Sequence, residues 1–499
     1  MKQLNWGPML NAYPDSMGGT LSDIADLLEK ELKDCFDSFY ILPSLFHSDL
    51  DRGFCIIDYD LEESMSTRAD LERIKQLGIF LKLDFVLNHQ SVQSPEFQDI
   101  IKNGQNSLYR DYFIDWNKFW INCGQIGEEG YIIPESKYTE MMFFRKPGLP
   151  ILMVDFPDGR SVPYWNTFYQ DKTSMPDGTV KYSGQMDVNI KSPLVWESYE
   201  KTLQKMADYG ASLIRLDAFA YTSKEIGKRN FLNIPETWEV LRRVQEMGEK
   251  NNLLFLPEIH AGYEEHICDE LADQKYISYD FFLPGLLIYA MEKHNPMLLR
   301  EWAEEIKDKN LKLVNMLGCH DGIPVLDLKG KLSDDEIQEL IDLIVTRGGY
   351  VKNLHGQKDT YYQVNATYFS ALGEDAQKLL FARAVQLFMP GKPQIWYLDL
   401  FAGKNDFEAV RKAGTGGHKE INRTNLTKEM ITTSLSKEIV TEQLRLLRLR
   451  NCHSAFSIDS KFCVKQMGNI LIFSWKKDRI FISLEADFNT YQYKIVEGK

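Results

Sequence analysis

Leu-Ile-Arg-Leu-Asp-Ala, residues 213–218, is a short apolar run that ends in charged side chains. Gly210 stands just before it, and the dipeptide Ser192-Pro193 stands eighteen residues earlier. A serine N-cap, a proline in the first turn and a closing glycine are typical boundaries of a helix. The segment is therefore predicted to be a strand that directly follows a helix, which is one unit of an α/β fold.

The same unit recurs along the chain, because short apolar runs alternate with amphipathic helical segments. Thr20 and Asp23, for example, form a similar but weaker helix start. The predicted strands number eight: Trp6–Ala12, Ser38–Leu42, Leu81–Leu87, Leu213–Leu216, Leu253–Leu256, Tyr276–Phe281, Leu313–Leu317 and Pro393–Tyr397. Eight alternating strands and helices predict a (β/α)8 TIM barrel of the α/β class, whose active site lies at the carboxyl ends of the strands.

Two long insertions and a C-terminal tail interrupt this pattern. Loops of this length are usually functional in a compact fold. The second insertion contains a helical stretch, Ser333–Ile344, and the tail begins as a helix near Glu438. The tail then alternates as in an antiparallel β domain, with strands at Phe462–Gln466, Ile470–Trp475 and Arg479–Leu484. The predicted division is barrel over 1–90, 189–321 and 374–437, insertions over 91–188 and 322–373, and a C-terminal β domain over 438–499.

Composition excludes several classes of protein. The chain has 499 residues and a formal net charge of −14, which argues against nucleic-acid binding. It has no stretch of about 20 apolar residues that could cross a membrane. The N-terminus lacks the apolar region of a secretory signal. Its seven cysteines are scattered without a CxxC pair, which predicts reduced thiols, no zinc knuckle and a cytoplasmic protein.

Charged residues gather at the predicted strand ends. Period two places Arg215 and Asp217 on one face of their strand, pointing into the barrel mouth. The guanidinium could keep the carboxylate ionised as a nucleophile, or the two could form a buried structural ion pair. Glu258 follows the fifth strand, where partial burial would raise its pKa and suit it to proton donation. A solvated loop glutamate is the alternative.

Two further strand ends carry polar side chains. His89 follows the third strand, and His320 with Asp321 follows the seventh. A His-Asp pair at a barrel rim can bind sugar hydroxyls, although an ordinary Asp-Gly turn would look the same. Together, two carboxylates that flank one sugar are the pattern of glycoside chemistry, in which one attacks and the other transfers the proton.

At this point the sequence resembles the α-amylase superfamily of retaining glycosidases. Its four family regions stand in order as DFVLNH (84–89), RLDA (215–218), PEIH (257–260) and CHDG (319–322). A closer likeness, over roughly the full chain, is to the sucrose phosphorylase branch. That likeness is carried by LDRGFCIIDY (50–59), RKPGLP (145–150), RLDAFAY (215–221), YYQVNATYFSAL (361–372), FAGKND (401–406) and EINR (420–423).

The resemblance implies a role for each matching residue. Asp217 would be the nucleophile, Glu258 the general acid/base and Asp321 the residue that stabilises the transition state. The sugar would be bound by Asp51, Phe54, His89, Arg215, Tyr221, His260, His320, Gln363 and Arg423. The insertions would be the B and B′ domains of the branch. The reaction would need no metal and no cofactor, inorganic phosphate would be a substrate, and a homodimer would be possible.

The choice of acceptor is where the chain departs from plain sucrose phosphorylases. It carries Arg145-Lys146 before PGLP and a loop with His355 and Lys358 before the YQVN element. These four cations could converge on a second phosphate. The sequence therefore resembles the sucrose 6′-phosphate phosphorylase variants of the branch, with fructose 6-phosphate as acceptor. Solvated loop charges are the alternative, with a sucrose, glucosylglycerol or glucosylglycerate phosphorylase, a hydrolytic α-glucosidase or an inactive sugar-binding barrel as other functions.

Overall fold

A computed structural model describes residues 4–145, 148–176, 180–353, 361–414 and 417–498. Eight parallel strands form its central sheet: β1 (Met9–Ala12), β2 (Ser38–Ile41), β3 (Phe80–Val86), β4 (Ala211–Asp217), β5 (Leu254–Pro257), β6 (Ser278–Asp280), β7 (Leu313–Met316) and β8 (Lys392–Trp396). The eight predicted strands are thus confirmed in number and order. The first is shorter than predicted, since it begins at Met9 rather than at Trp6.

The strand order shows how the sheet curves round on itself. It runs β5-β4-β3-β2-β1-β8-β7-β6, so that strands 1 and 8 pair and the two ends of the sheet come together between β5 and β6. The sheet is an almost closed barrel, and the predicted fold class is confirmed. In a parallel barrel all the carboxyl ends lie on one side, which brings Asp217, Glu258 and Asp321 to the same rim.

Helices surround the barrel and cover the outer faces of its strands. They span Leu21–Glu29, Arg68–Gln76, Pro193–Asp208, Glu236–Glu249, Ile267–Asp273, Leu283–Glu292, Met297–Asp308, Ala376–Phe388 and Glu438–Cys452. Thr20 and Asp23 form a complete capping box, a stronger helix start than predicted. Pro193 begins its helix as predicted, but the Ser192 side chain makes no capping hydrogen bond.

The first insertion has a small hydrophobic core of its own, built around Trp116, Trp120 and Trp165. Its helices are Pro95–Asn103, Trp116–Phe119 and Ser136–Thr139. Its strands pair as Gly124–Ile126 with Ile132–Pro134, and Ile151–Asp155 with Ser161–Trp165; Val180–Asp187 lies between Gln170–Ser174 and His89–Ser91. The last pairing joins the insertion to the segment that follows β3, and therefore to the rim of the barrel.

The second insertion and the C-terminal tail are smaller. The second contains the helix Asp334–Thr346, capped by Ser333, and a sheet of Ile323–Pro324, Tyr350–Asn353 and Tyr361–Asn365. The tail forms an antiparallel sheet of β9 (Lys461–Met467), β10 (Ile470–Lys477), β11 (Ile480–Asp487) and β12 (Gln492–Gly498). The predicted antiparallel sheet is confirmed, and β12 is a fourth strand that the sequence pattern did not predict. Among the described residues, the remaining strands are Phe46–Leu50 and Cys55–Leu61, and the remaining α-helices are Tyr368–Ala371, Tyr397–Leu400, Phe407–Ala413 and Lys428–Leu435.

Candidate active site

One guanidinium lies between the two predicted catalytic carboxylates. Asp217 is the last residue of β4, and Glu258 directly follows the neighbouring β5. Arg215 Nη1 is 2.8 Å from Asp217 Oδ1, and Arg215 Nη2 is 2.7 Å from Glu258 Oε1. Asp84, on β3, lies 2.5 Å from the same Nη1 and accepts a hydrogen bond of 2.7 Å from the Tyr40 hydroxyl. Three adjacent strands therefore place the predicted catalytic pair and Asp84 beside one arginine.

The pKa values of the two carboxylates shift in directions opposite to those expected from the sequence. The three side chains are only 3% (Arg215), 11% (Asp217) and 13% (Glu258) exposed. Burial raises the pKa of Asp217 well above its usual range, Arg215 opposes this, and the charges of Glu258 and Asp84 add to the rise. Burial also favours the neutral form of Glu258, but Arg215 and His260 outweigh it and hold the pKa of Glu258 below its usual range. Arg215 contacts both carboxylates and His260 stands beside only Glu258, so the two pKa values shift in opposite directions, with that of Asp217 raised and that of Glu258 lowered.

His260 lies beside Glu258 and faces its carboxylate. Its Nε2 lies 3.6 Å from Glu258 Oε1, and its Nδ1 lies 3.0 Å from Asp327 Oδ2. The imidazole also stacks on Phe281, with ring centroids 3.9 Å apart. Burial lowers the pKa of His260, but Asp327 and Glu258 more than reverse this and raise it to about 9. His260 is therefore a cation at neutral pH that stabilises the charge of Glu258.

Asp321 lies in a second charged cluster at the barrel mouth. Its carboxylate lies 3.2 Å from His320 Nε2, 2.6 Å from Lys419 Nζ and 3.6 Å from Arg423 Nη2. Burial raises the pKa of Asp321, but its three partners together hold it well below the usual range. Asp321 is therefore an anion. Asp51 joins this cluster, 3.5 Å from Arg423 and 3.6 Å from Lys419.

An aromatic side chain connects the two charged clusters. The Phe54 ring stacks on His320, with centroids 4.9 Å apart, and the guanidinium carbon of Arg215 lies 5.4 Å from the Phe54 ring centroid. The Phe54 carbonyl in turn lies 2.9 Å from His89 Nε2 and accepts a hydrogen bond of 3.2 Å from Gln185. Burial lowers the pKa of His89, which is therefore neutral. This arrangement resembles one wall of a sugar site: an apolar face bordered by hydrogen-bonding groups.

A further side of the mouth is formed by the first insertion. Arg145 Nη1 donates a hydrogen bond of 2.9 Å to the Tyr221 hydroxyl, and its guanidinium lies 5.1 Å from the ring centroid of Phe168. Phe168 also packs against His89 and Tyr221, with centroids 5.0 and 5.3 Å away. Arg145 is thus brought to the wall of the candidate site. Lys146, His355 and Lys358, the other cations of the predicted acceptor site, lie outside the described residues.

A cavity of about 350 Å³ opens between the charged clusters. It is lined by Arg215, Glu258, His260, His320, Asp321 and Gln363, and also by Tyr40, Tyr279 and Gln394. The structure therefore brings the predicted catalytic and sugar-binding residues to one mouth. Within the described ranges no group of three or more His, Cys, Asp and Glu side chains is arranged to hold a metal ion. None of the described helices is both long and apolar enough to span a membrane.

Several residues of the site were not singled out from the sequence. Lys419 stands four residues before Arg423, a helical spacing that would have placed both on one face. Asp327 and Phe168 come from the insertions, where no motif marks them. Gln185 lies on an insertion strand with weak periodicity. Only the tertiary structure brings these last three to the rim.

The chain is similar to known enzymes along almost its whole length. The model of the α-amylase catalytic domain family matches residues 11–321. A sucrose 6(F)-phosphate phosphorylase of Ilumatobacter coccineus is 50% identical, over 98% of this chain and 95% of the relative. A second sucrose 6(F)-phosphate phosphorylase, of Thermoanaerobacterium thermosaccharolyticum, is 35% identical over 97% of this chain and 96% of the relative. Among solved structures, the crystal structure of sucrose 6F-phosphate phosphorylase from Thermoanaerobacter thermosaccharolyticum superposes with a TM-score of 0.89 at 33% identity, covering 99% of this chain and 96% of that one.

Proposed function

Because the chain belongs to the α-amylase family, in its sucrose phosphorylase branch, we propose that it is a retaining phosphorylase of sucrose 6′-phosphate. The reaction converts sucrose 6′-phosphate and inorganic phosphate into α-glucose 1-phosphate and fructose 6-phosphate. The observation that carries the proposal is the pair of carboxylates, Asp217 and Glu258, held on one arginine at the mouth of the barrel. The pair supplies the two groups that a double displacement needs.

In the first step Glu258 protonates the glycosidic oxygen while a carboxylate oxygen of Asp217 attacks the anomeric carbon. The bond from that carbon to the fructosyl oxygen breaks, fructose 6-phosphate leaves and a β-glucosyl-enzyme forms. In the second step a phosphate oxygen attacks the same carbon and Glu258 recovers a proton from the phosphate. The ester bond to Asp217 breaks, and two inversions give net retention.

This mechanism requires Asp217 to be ionised and Glu258 to be protonated when the sugar is bound, against the direction in which their surroundings shift the two pKa values. Arg215 contacts both carboxylates, so the pair can exchange a proton without a change in its total charge. A glucosyl group between the carboxylates would desolvate Glu258 further and favour its neutral form. Asp321 stays ionised and would stabilise the positive charge that develops on the sugar in the transition state.

The remaining rim residues would bind the glucosyl hydroxyls. Asp51, Arg423 and His320 surround Asp321, and His89 lies beside Phe54. Carboxylates, guanidinium and imidazole groups offer the mixture of donors and acceptors that vicinal hydroxyls need. The rings of Phe54 and Tyr221 would form the apolar walls.

The position of Arg145 supports the proposal that the acceptor is phosphorylated. Its guanidinium lies at the mouth, on the Tyr221 hydroxyl, and a guanidinium binds phosphate through paired hydrogen bonds. The relative that is 50% identical over nearly the whole chain is named for sucrose 6(F)-phosphate. The proposal is that Arg145, together with Lys146, His355 and Lys358, binds the phosphate of fructose 6-phosphate.

The test compares two substrates under two conditions. We expect phosphorolysis of sucrose 6′-phosphate to exceed that of sucrose in kcat/KM, with α-glucose 1-phosphate as product. A higher kcat/KM on sucrose would end the acceptor proposal and leave the phosphorylase chemistry intact. Release of free glucose at the same rate with and without phosphate would instead make the enzyme a hydrolase.

A further inference from the structure

Three consecutive residues at the rim have left-handed backbone conformations. The φ angles of Asp51, Arg52 and Gly53 are 46°, 52° and 112°. Gly53 is required here, since a Cβ atom on it would lie 2.1 Å from the backbone nitrogen of Ser44. Aspartate is among the residues that tolerate this region, whereas the longer side chain of Arg52 disfavours it. A strained backbone of this kind persists only where surrounding contacts hold it in place.

The side chain of Arg52 makes those contacts. Its Nη1 donates a hydrogen bond of 2.5 Å to the carbonyl oxygen of Arg423, and its Nη2 lies 3.3 Å from Asp15. Nη2 also donates to the side chain of Asn425. The guanidinium carbon lies 4.2 Å from the ring centroid of Tyr13. Arg52 thus joins the loop after Leu50, the segment after β1 and the segment around residue 423.

We call the contacts of Arg52 with Arg423, Asn425 and Asp15 the Arg52 clamp. Both of the segments that this clamp joins at the rim carry predicted sugar-binding residues. One end is the backbone of Asp51, which directly precedes Arg52, and the other is the backbone of Arg423. The side chains of these two residues meet at 3.5 Å, and Arg423 also donates to the His320 carbonyl at 2.9 Å and lies 3.6 Å from Asp321. The separation of Asp51 and Arg423 therefore depends on where Arg52 holds their main chains.

We propose that Arg52 is a positioning residue for the glucosyl site, and that its guanidinium group holds the Asp51–Arg423 pair in place. This inference deepens the proposed function and rests on it for the identity of the sugar. It assigns Arg52 no contact with the sugar. Its effect should therefore appear in binding of the glucosyl donor and not in binding of inorganic phosphate.

The experiment separates the backbone of Arg52 from its guanidinium. Asparagine and glycine both accept the left-handed conformation. R52N and R52G therefore allow the backbone of the loop to keep its conformation, and they remove the guanidinium group. We expect each to raise the KM for sucrose 6′-phosphate about tenfold, the cost of losing charge-assisted hydrogen bonds, with the KM for phosphate unchanged. R52K keeps the positive charge but has no guanidinium group, so it should raise the KM for sucrose 6′-phosphate by less than R52N and R52G do. R68N is the matched control, because Arg68 also stacks on a tyrosine, Tyr209, but on the outer helix Arg68–Gln76.

A double-mutant cycle then shows whether Arg52 acts through Arg423. R423K replaces the guanidinium that pairs with Asp51 by an ammonium group. We expect R52N/R423K to lose less than the product of the two single losses, since R423K already breaks the Asp51–Arg423 pair that Arg52 positions. The proposal would be overturned if the loss in R52N/R423K equalled the product of the two single losses. It would also be overturned if R52N, R52G and R52K all left the KM for the glucosyl donor unchanged.

A crystal structure of R52N provides a measurement that needs no turnover. We expect the Arg423 guanidinium to move away from Asp51, so that Nη1 of Arg423 no longer lies 3.5 Å from the Asp51 carboxylate. An unmoved pair would contradict the positioning role. If the wild-type enzyme showed no phosphorolysis, the proposed function would fail, and this structural readout would still decide the role of Arg52.

Discussion

The two sides of the candidate pocket are held in different ways. On the barrel side, Arg215, Asp217 and Glu258 stand at strand ends, are nearly fully buried and are joined directly by ion pairs. On the insertion side, Arg145 reaches the site from an irregular segment and meets the hydroxyl of Tyr221. A barrel strand can hold reacting groups rigidly, whereas an insertion can change without disturbing the barrel. The difference suggests that the barrel supplies the chemistry and the insertions select the acceptor, and four predictions test this division.

The largest effect is expected at Asp217. D217N removes the proposed nucleophile and should lower kcat by about 10⁴-fold or more, as for other residues that act as a catalytic unit. D60N is the control, because Asp60 is 61% exposed and pairs with Lys205 at the surface. Steady-state rates of α-glucose 1-phosphate release measure both variants. A D217N enzyme that retained a tenth of the wild-type rate would place the nucleophile elsewhere.

E258Q should show which carboxylate transfers the proton. Loss of a general acid costs about 10²–10⁴-fold, and the loss depends on how much help the leaving group needs. We therefore expect a large fall with sucrose 6′-phosphate and a much smaller one with α-glucosyl fluoride, whose fluoride leaves without a proton. The control is E264Q, on the exposed neighbour in the same loop. Equal losses on the two substrates would argue that Glu258 is not the acid.

The His260–Asp327 pair predicts a dependence of stability on pH. The folded-state pKa of His260 is raised from 6.5 to about 9, which corresponds to about 3 kcal/mol. Because the folded pKa is the higher one, this stability is fully present below pH 6.5 and is lost as the pH rises through 9. D327N should therefore reduce the free energy of unfolding most at about pH 6 and least at about pH 9, as measured by urea denaturation.

A surface pair provides the comparison for that measurement. His266 and Asp269 also form a His–Asp pair, at 3.3 Å, but both side chains are more exposed. D269N should cost less than about 1 kcal/mol at any of these pH values. If the cost of D327N did not change with pH, the charge of His260 would not be what the pair stabilises.

The smallest effect is expected on the insertion side. R145A should lower kcat/KM for sucrose 6′-phosphate about tenfold, the cost of a charge-assisted hydrogen bond, and leave sucrose nearly unaffected. R110A, on an exposed arginine of the same insertion that pairs with Asp111, is the matched control. Equal losses on both substrates would mean that Arg145 supports the shared glucosyl site. The division between barrel and insertion would then be wrong at this residue.

Much of the barrel could be predicted from local patterns. The eight strands are recognisable because a buried parallel strand is a short apolar run, and that signal is local in the chain. Their carboxyl ends share one rim by topology, so the convergence of Asp217, Glu258 and Asp321 could also be predicted. The strand β12 was missed because its exposed face and terminal position leave little apolar alternation.

The order of residues along the chain was enough to predict the barrel, its active rim and the family, because each depends on local periodicity and on short motifs. Only the tertiary structure decided which charged groups face each other and which side chains hold others in place. It placed Arg215 between both carboxylates, His260 on Asp327 and Arg52 on the carbonyl of Arg423. Most of these partners are dozens to hundreds of positions apart, and the pKa of a buried group depends on neighbours in space, which local patterns do not contain.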